Sequence, residues 1–184
     1  GKKIAPVVTP IWDANKKVTG IIDVLNKRAY EMQNLKRVEV EIPADKVSVV
    51  SEFNDALKES VAETSEELMD KFFGGEDFTY SEMIQGLHQG VKDLSLFPVL
   101  CGSAVNCMGS LMLMDYIVDL LPNPMEGNYQ KGVTSDGETV EFIVSPGGLP
   151  TAFVFKTVSD QYGKYSYIKV FSGTLTADMS MVNS

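Results

Sequence analysis

One stretch of this 184-residue chain constrains its fold most: Phe97-Pro98-Val99-Leu100-Cys101-Gly102-Ser103-Ala104, followed by an Asn/Met/Gly turn and a helix-like apolar pattern. Leu96–Leu100 is continuously apolar, the pattern of a buried, parallel-sheet strand, so the chain reads as α/β here. At Gly-Ser-Ala the backbone turns from strand to helix. Small residues there let backbone N–H groups approach a ligand with no side chain intervening. By itself the tripeptide reads first as a tight strand-to-helix turn, and spacing alone does not make it a nucleotide contact. The helix that follows should turn Leu111, Met114, Ile117, Val118 and Leu121 toward the core, and Pro122-Asn123-Pro124 should stop it. Met108, Met112 and Met114 read as ordinary core packing.

Hydrophobic content of 44% and charged content of 22% are those of a globular chain. The length gives room for one domain, or one compact domain plus part of another. No apolar run approaches the roughly 18 residues of a membrane span, and no signal peptide is legible, so a cytoplasmic protein is expected. The start at Gly1-Lys2-Lys3 without Met is expected of an excised fragment. Cys101, Cys107 and the single histidine, His88, do not make a zinc site, which takes about four ligands. Reduced thiols are expected rather than a disulfide, and His88 has no catalytic role.

The net charge of −9 argues against a direct grip on nucleic acid. Residues 1–40 carry eight Lys/Arg against four Asp/Glu, residues 41–77 three against eleven, and the remainder five against ten. The acidity is concentrated in one block.

Along the chain, Ile4–Trp12 and Val18–Tyr30 read as a β-hairpin around the polar cluster 13–17. Val38–Ile42 alternates as a half-buried strand closed by Pro43, and Pro43-Ala44 opens a helix. In that helix Val47, Val50, Phe53, Leu57 and Val61 form one stripe about 120° wide or less, while Asp45, Glu52, Asp55, Glu59 and Glu63 lie opposite. Thr64-Ser65-Glu66-Glu67 has capping-box spacing and restarts a helix through Phe73, which Gly74-Gly75 ends. Thr79-Tyr80-Ser81-Glu82 is a second capping box, with Met83, Ile84, Leu87 and Val91 inward behind it. Residues 123–150 form a linker with one small hairpin at Asp136-Gly137. Ala152–Val158, Tyr165–Ser172 and Met179–Asn183 are short strands opening an all-β unit. Three strands cannot close a barrel, so their edges need partners.

A GTPase needs a phosphate-cradling Gly-x-x-x-x-Gly-Lys-Ser/Thr loop, an Asp-x-x-Gly and an Asn-Lys-x-Asp. The first is absent. Asn15-Lys16-Lys17-Val18 and Asn26-Lys27-Arg28-Ala29 lack the terminal Asp, and Asp160-Gln161-Tyr162-Gly163 reads as a hairpin turn. Alone, this chain should hydrolyse nothing. The acidic stripe reads either as a solvated face or as a docking surface for a basic partner. Asp55, Glu59 and Glu63 stack like charges at i,i+4, costing a few tenths of a kcal/mol per pair, and that favours the partner.

The order of elements resembles the elongation factor G family of ribosomal translocases from about Ile4 to Ser184. Val18-Thr-Gly-Ile-Ile-Asp-Val-Leu, Lys27-Arg-Ala-Tyr30, Val61–Met69, Pro98-Val-Leu-Cys-Gly-Ser-Ala104, Asp115–Pro122 and Val170-Phe-Ser-Gly-Thr-Leu175 carry the likeness. It implies a mixed α/β fold comprising the C-terminal part of a P-loop GTPase domain with its inserted subdomain, then the truncated start of a β-barrel. Residues 1–97 would be the inserted subdomain, 98–122 the last guanine box and closing helix, 123–147 a linker and 148–184 the first barrel strands. Ser103 and Ala104 match the positions where a backbone N–H meets the guanine carbonyl. The helix bearing Glu52, Asp55, Glu59 and Glu63 matches the one that contacts the ribosomal stalk protein.

The resemblance further implies GTP/GDP with Mg2+ in the parent protein, none bound to this fragment, and tRNA and mRNA met only through the full-length factor. Two departures stand out: Val105–Gly109 has no charge where the family is basic, and Asp160–Lys164 is shorter than the family's Pro-containing hairpin. A divergent paralogue of the ribosome-protection or release-factor type, and a non-enzymatic acidic interaction module, stand as alternatives.

Overall fold

β1 (Lys3–Pro6) runs parallel to β6 (Leu96–Val99), with Lys3 opposite Leu96 and Pro6 opposite Val99. Two adjacent parallel strands cannot be joined by a tight turn, so the intervening chain is one long crossover. It contains a four-stranded antiparallel meander, β2 (Val8–Trp12), β3 (Val18–Asp23), β4 (Arg28–Gln33) and β5 (Lys36–Val40), in sequential order. Three helices follow: α1 (Val47–Ala62), α2 (Glu66–Phe73) and α3 (Tyr80–Lys92). After β6 comes α4 (Ser110–Leu120). The computed structural model describes residues 3–127, 130–134 and 136–183, in two units that divide after Leu121.

The meander departs from the single hairpin expected. Ile4–Trp12 breaks at Val7, whose N–H donates to Val99 and whose carbonyl accepts from Val24, so this buried residue serves both sheets. Val18–Tyr30 breaks at a turn that the Asp23 carboxylate holds by accepting from the N–H groups of Leu25 and Asn26. Asn34 and Leu35, both at positive φ, then join β4 to β5 in a two-residue loop. That loop moves the last strand two residues toward the N-terminus, because paired positive-φ residues match the twist of a hairpin. Pro10 sits on β2, the edge strand, where its missing N–H costs no ladder bond.

The helices follow their expected faces with small shifts. Residues 44–46 form a turn, so α1 starts at Val47 and that side chain stays exposed, while Val50, Leu57 and Val61 are buried. Ser65, not Thr64, caps α2, its Oγ accepting from Leu68 N–H, because the Thr64 hydroxyl donates back to Val61. The second capping box forms as read: Thr79 and Glu82 exchange bonds, and Glu82 also accepts from Lys71 Nζ at 2.7 and 2.9 Å, tying α2 to α3.

α4 contradicts its reading. Met112, Tyr116 and Leu120 face the core with Met108, whereas Leu111, Met114, Ile117, Val118 and Leu121 are exposed, Val118 at 80%. Leu, Met, Ile or Val fill seven of its eleven positions and occur on several sides of the helix, so periodicity alone chooses weakly between its faces. The face that turns in is the one whose polar residue, Tyr116, finds an acceptor in Asp23.

In the second unit the expected linker carries β7 (Gln130–Val133) and β8 (Thr139–Phe142) as a hairpin. β9 (Thr151–Asp160) and β10 (Gly163–Ser172) make a longer one, turned by the Asp160 carboxylate accepting from Tyr162 and Gly163 N–H. This bears out the hairpin-turn reading of Asp160–Gly163. Met179–Asn183 forms no strand, since no edge is paired with it among the described residues.

The Glu82 carboxyl is held down to about 2 from its ordinary 4.5, first by the Lys71 bond and then by Thr79. A depressed carboxyl pKa contributes stability above the unfolded value and loses it as pH falls toward the folded one. Acid titration of the chain, followed by circular dichroism, should show stability falling between about pH 4.5 and 2. Glu82→Gln should be less stable at neutral pH and show a flatter slope across that window.

Candidate functional site

The Gly-Ser-Ala segment lies just past the C-terminal end of β6, and it is a miniature hairpin rather than a direct strand-to-helix turn. Ser103 N–H donates to Met108 at 2.9 Å and Met108 N–H returns to Ser103 at 3.0 Å. The loop 104–107 closes with Cys107 N–H on the Ala104 carbonyl, Cys107 sitting at φ 54°. Two close approaches hold this hairpin against the start of α4. A Cβ on Gly102 would lie 2.7 Å from the Met108 carbonyl oxygen, and one on Gly109, at φ +80°, 2.9 Å from that of Cys101.

These bonds separate the two residues singled out in the sequence. The Ser103 N–H is spent inside the loop. The Ala104 N–H has no acceptor among the described residues and stands at an exposed position. Like the exposed N–H groups of Val105 and Asn106, it is a donor this turn leaves open to a ligand. Cys101 and Cys107 are both free thiols; burial pushes the Cys101 thiol up, while Cys107 is exposed.

On α1, Glu52, Asp55 and Glu59 are exposed and make no ion pair among the described residues. Glu63 leaves that row: it is the residue that ends the helix, and its carboxylate pairs with Lys3 on β1. Lys58 reaches away to Asp77 and Lys46 to Asp45, so neither neutralises the three remaining carboxylates. No cation among the described residues relieves the Coulomb repulsion among them.

A third cluster has no counterpart in the sequence reading. Asp23 is buried, and besides its bonds to Leu25 and Asn26 it accepts from the Tyr116 hydroxyl at 2.8 Å and from Asn26 Nδ2 at 2.8 Å. Next to it, the Val24 carbonyl accepts from Asn54 Nδ2 of α1 at 3.0 Å. Burial, then the Asp23 charge, pushes the Tyr116 hydroxyl far up, so it remains a donor. Burial also raises Tyr80, which lines the same cleft. Arg37 lies 4.8 Å over the Tyr30 ring and 3.8 Å from Asp115. The signals were present in the sequence: Asn54 interrupts the apolar stripe of α1, and Tyr116 is the polar-tipped residue of an apolar helix.

No three His, Cys, Asp or Glu side chains group to hold a metal among the described residues, and no helix there is long and apolar enough to cross a membrane.

The chain is similar to the crystal structure of ttk003000868 from Thermus thermophilus, with a TM-score of 0.73 and 27% identity over 92% of this chain. The match covers 23% of that protein, so the chain spans less than a quarter of the length of this relative. No protein-family model matches the chain.

Gly102→Ala should force Met108 off Ser103 and cost roughly 1–3 kcal/mol, the usual penalty of overpacking. A lower urea midpoint, together with faster amide exchange at Ser103 and Met108, checks it.

Proposed function

We propose that this chain is a segment of a translational GTPase of the elongation factor G kind, which couples GTP binding and hydrolysis to movement of tRNA and mRNA on the ribosome. The observation that carries the reading is the open Ala104 N–H, presented on a closed loop just beyond the end of a parallel strand. Ligands of α/β sheets bind at the carboxyl ends of strands, and a fixed backbone donor there suits a base carbonyl oxygen. Of the two residues the resemblance implies, Ala104 would contact guanine, while Ser103 holds the loop in shape.

The bare surfaces fit the same reading. A parallel pair is stable where both faces are covered, yet Ile4 and Val99 are exposed, as is the outer face of α4. Such surfaces are those of part of a larger α/β domain, which agrees with a relative of which the match covers only 23%. GTP with Mg2+ belongs to the whole factor in this proposal. The chain contains no Gly-x-x-x-x-Gly-Lys-Ser/Thr cradle.

The unpaired Glu52, Asp55 and Glu59 row supports an acidic docking face for the ribosomal stalk protein, with cytoplasmic placement to match. Charges left unrelieved in the free protein gain most when a basic surface meets them, chiefly in association rate.

Two measurements test these assignments. The full-length protein should bind fluorescent GDP, the isolated 184-residue chain should not, and Ala104→Pro in the full-length protein should weaken binding about tenfold, one lost hydrogen bond. Absence of GDP binding by the full-length protein would remove the GTPase reading and leave the acidic interaction module. Asp55→Lys combined with Glu59→Lys should slow association with the stalk protein by roughly tenfold at low salt and flatten its salt dependence. An unchanged rate would make the row a solvated face.

A further inference from the structure

α4 is held in an unusual way. Its buried residues Met112, Tyr116 and Leu120 recur every four positions and form a single row, while its other positions, apart from half-buried Ser110 and Asp119, are exposed. One row of apolar contacts keeps a helix on its support but does not resist rolling about that row, because apolar contact is non-directional. The directional restraint is the Tyr116 hydroxyl, which donates to the buried Asp23 at 2.8 Å. The neighbouring Arg37–Asp115 pair, at 3.8 Å and largely exposed, adds little.

Rolling of α4 would be felt at the Ser103–Ala104 turn. Gly109 begins the helix pressed against Cys101, and Gly102 is pressed against Met108, with no room for even a methyl group at either place. Met108 makes both bonds to Ser103, so a displaced helix start pulls directly on them. On the other side of this cluster, Asn54 of the acidic helix holds the carbonyl of Val24, the residue after Asp23.

We propose that Tyr116 is a positioning residue, whose bond to Asp23 fixes the roll of α4 and thereby the place of the Ser103–Ala104 turn relative to acidic helix α1. Asp23 keeps three N–H donors without it, from Leu25, Asn26 and the Asn26 side chain, so the β3–β4 turn does not depend on Tyr116. The helix does. The consequence for nucleotide rests on the function proposed above; the mechanical linkage does not.

Amide hydrogen exchange on the 184-residue chain tests the linkage directly. Tyr116→Phe keeps the ring and removes the bond. Exchange at Ser103 and Met108 should rise at least fivefold, with α3 and the β9–β10 hairpin unchanged. Unchanged protection at Ser103 and Met108 would overturn the proposal, and so would an equal rise throughout the chain, which is global destabilisation. Asp23→Asn keeps an oxygen to accept from the hydroxyl and should leave Ser103 and Met108 protected. Exchange as fast as in Tyr116→Phe would overturn the hydrogen bond as the restraint.

In the full-length protein, Tyr116→Phe should release fluorescent GDP several-fold faster when measured without denaturant, where the variant remains folded. A parent that binds GDP and a variant that releases it at the parent's rate would overturn the nucleotide consequence. A parent that binds none would overturn the proposed function and leave the exchange result to stand.

Discussion

The turn Asp23-Val24-Leu25-Asn26 is the point on which the first unit depends. Its carboxylate closes the turn locally and takes the hydroxyl of α4, while the Val24 backbone bonds to Val7 on one side and Asn54 on the other. A buried carboxylate is tolerable only when its lone pairs are satisfied, and four donors satisfy this one. Three separate parts of the chain, the junction of β1 and β2, α1 and α4, are thereby registered on four residues. Removing a donor here costs more than an average hydrogen bond contributes, because a charge would be left partly unpaired in a low-dielectric interior.

That registration explains how a parallel pair of only two strands persists. β1 and β6 share four residue pairs, too few to stand alone, but Val7 extends the pair by one bond to Val99 while its carbonyl is held by Val24. α3 reaches the start of β6 through a Schellman end, in which Leu94 occupies the left-handed position usually given to Gly and Ser95 N–H returns to Gly90. The β6 strand is thus delivered into register beside β1, and the loop bearing Ala104 projects from its far end. The acidic row of α1 and the open donor of the turn are separate features carried by one hub.

Much of the fold was legible because its signals are local. The Thr79–Glu82 box, the apolar stripe of α1, the glycine stop after Phe73 and the Asp160–Gly163 turn each depend on residues a few positions apart. The apolar run Leu96–Leu100 made a strand and its parallel pairing legible, but the strand ends at Val99 and only Leu96 is buried rather than the whole run. The failures are of another kind. Splitting Ile4–Trp12 at Val7 depends on Val99 and Val24, neither of which leaves a trace in the local pattern. At the candidate site, the sequence marked Ser103 and Ala104 together, and only the bridge to Met108 separates the spent donor from the open one.

The sequence by itself determined the type of most elements, though not at Met179–Asn183, together with the acidity of one helix face and the small residues of the turn, since backbone sterics and periodicity act over a few residues. Tertiary structure decided which face of α4 turns inward, which of four carboxylates is neutralised, and where Tyr116 and Asn54 find acceptors. Apart from Ser110, Asp115 and Asp119 the helix is apolar on several sides, so periodicity alone does not settle which apolar row turns inward, and the buried Tyr116–Asp23 bond marks the one that does. Glu63 has the same composition as Glu59, and only the arrival of Lys3 from β1 sets it apart. Long-range partners of that kind are decided by where the chain returns in space, and no local pattern of residues encodes them.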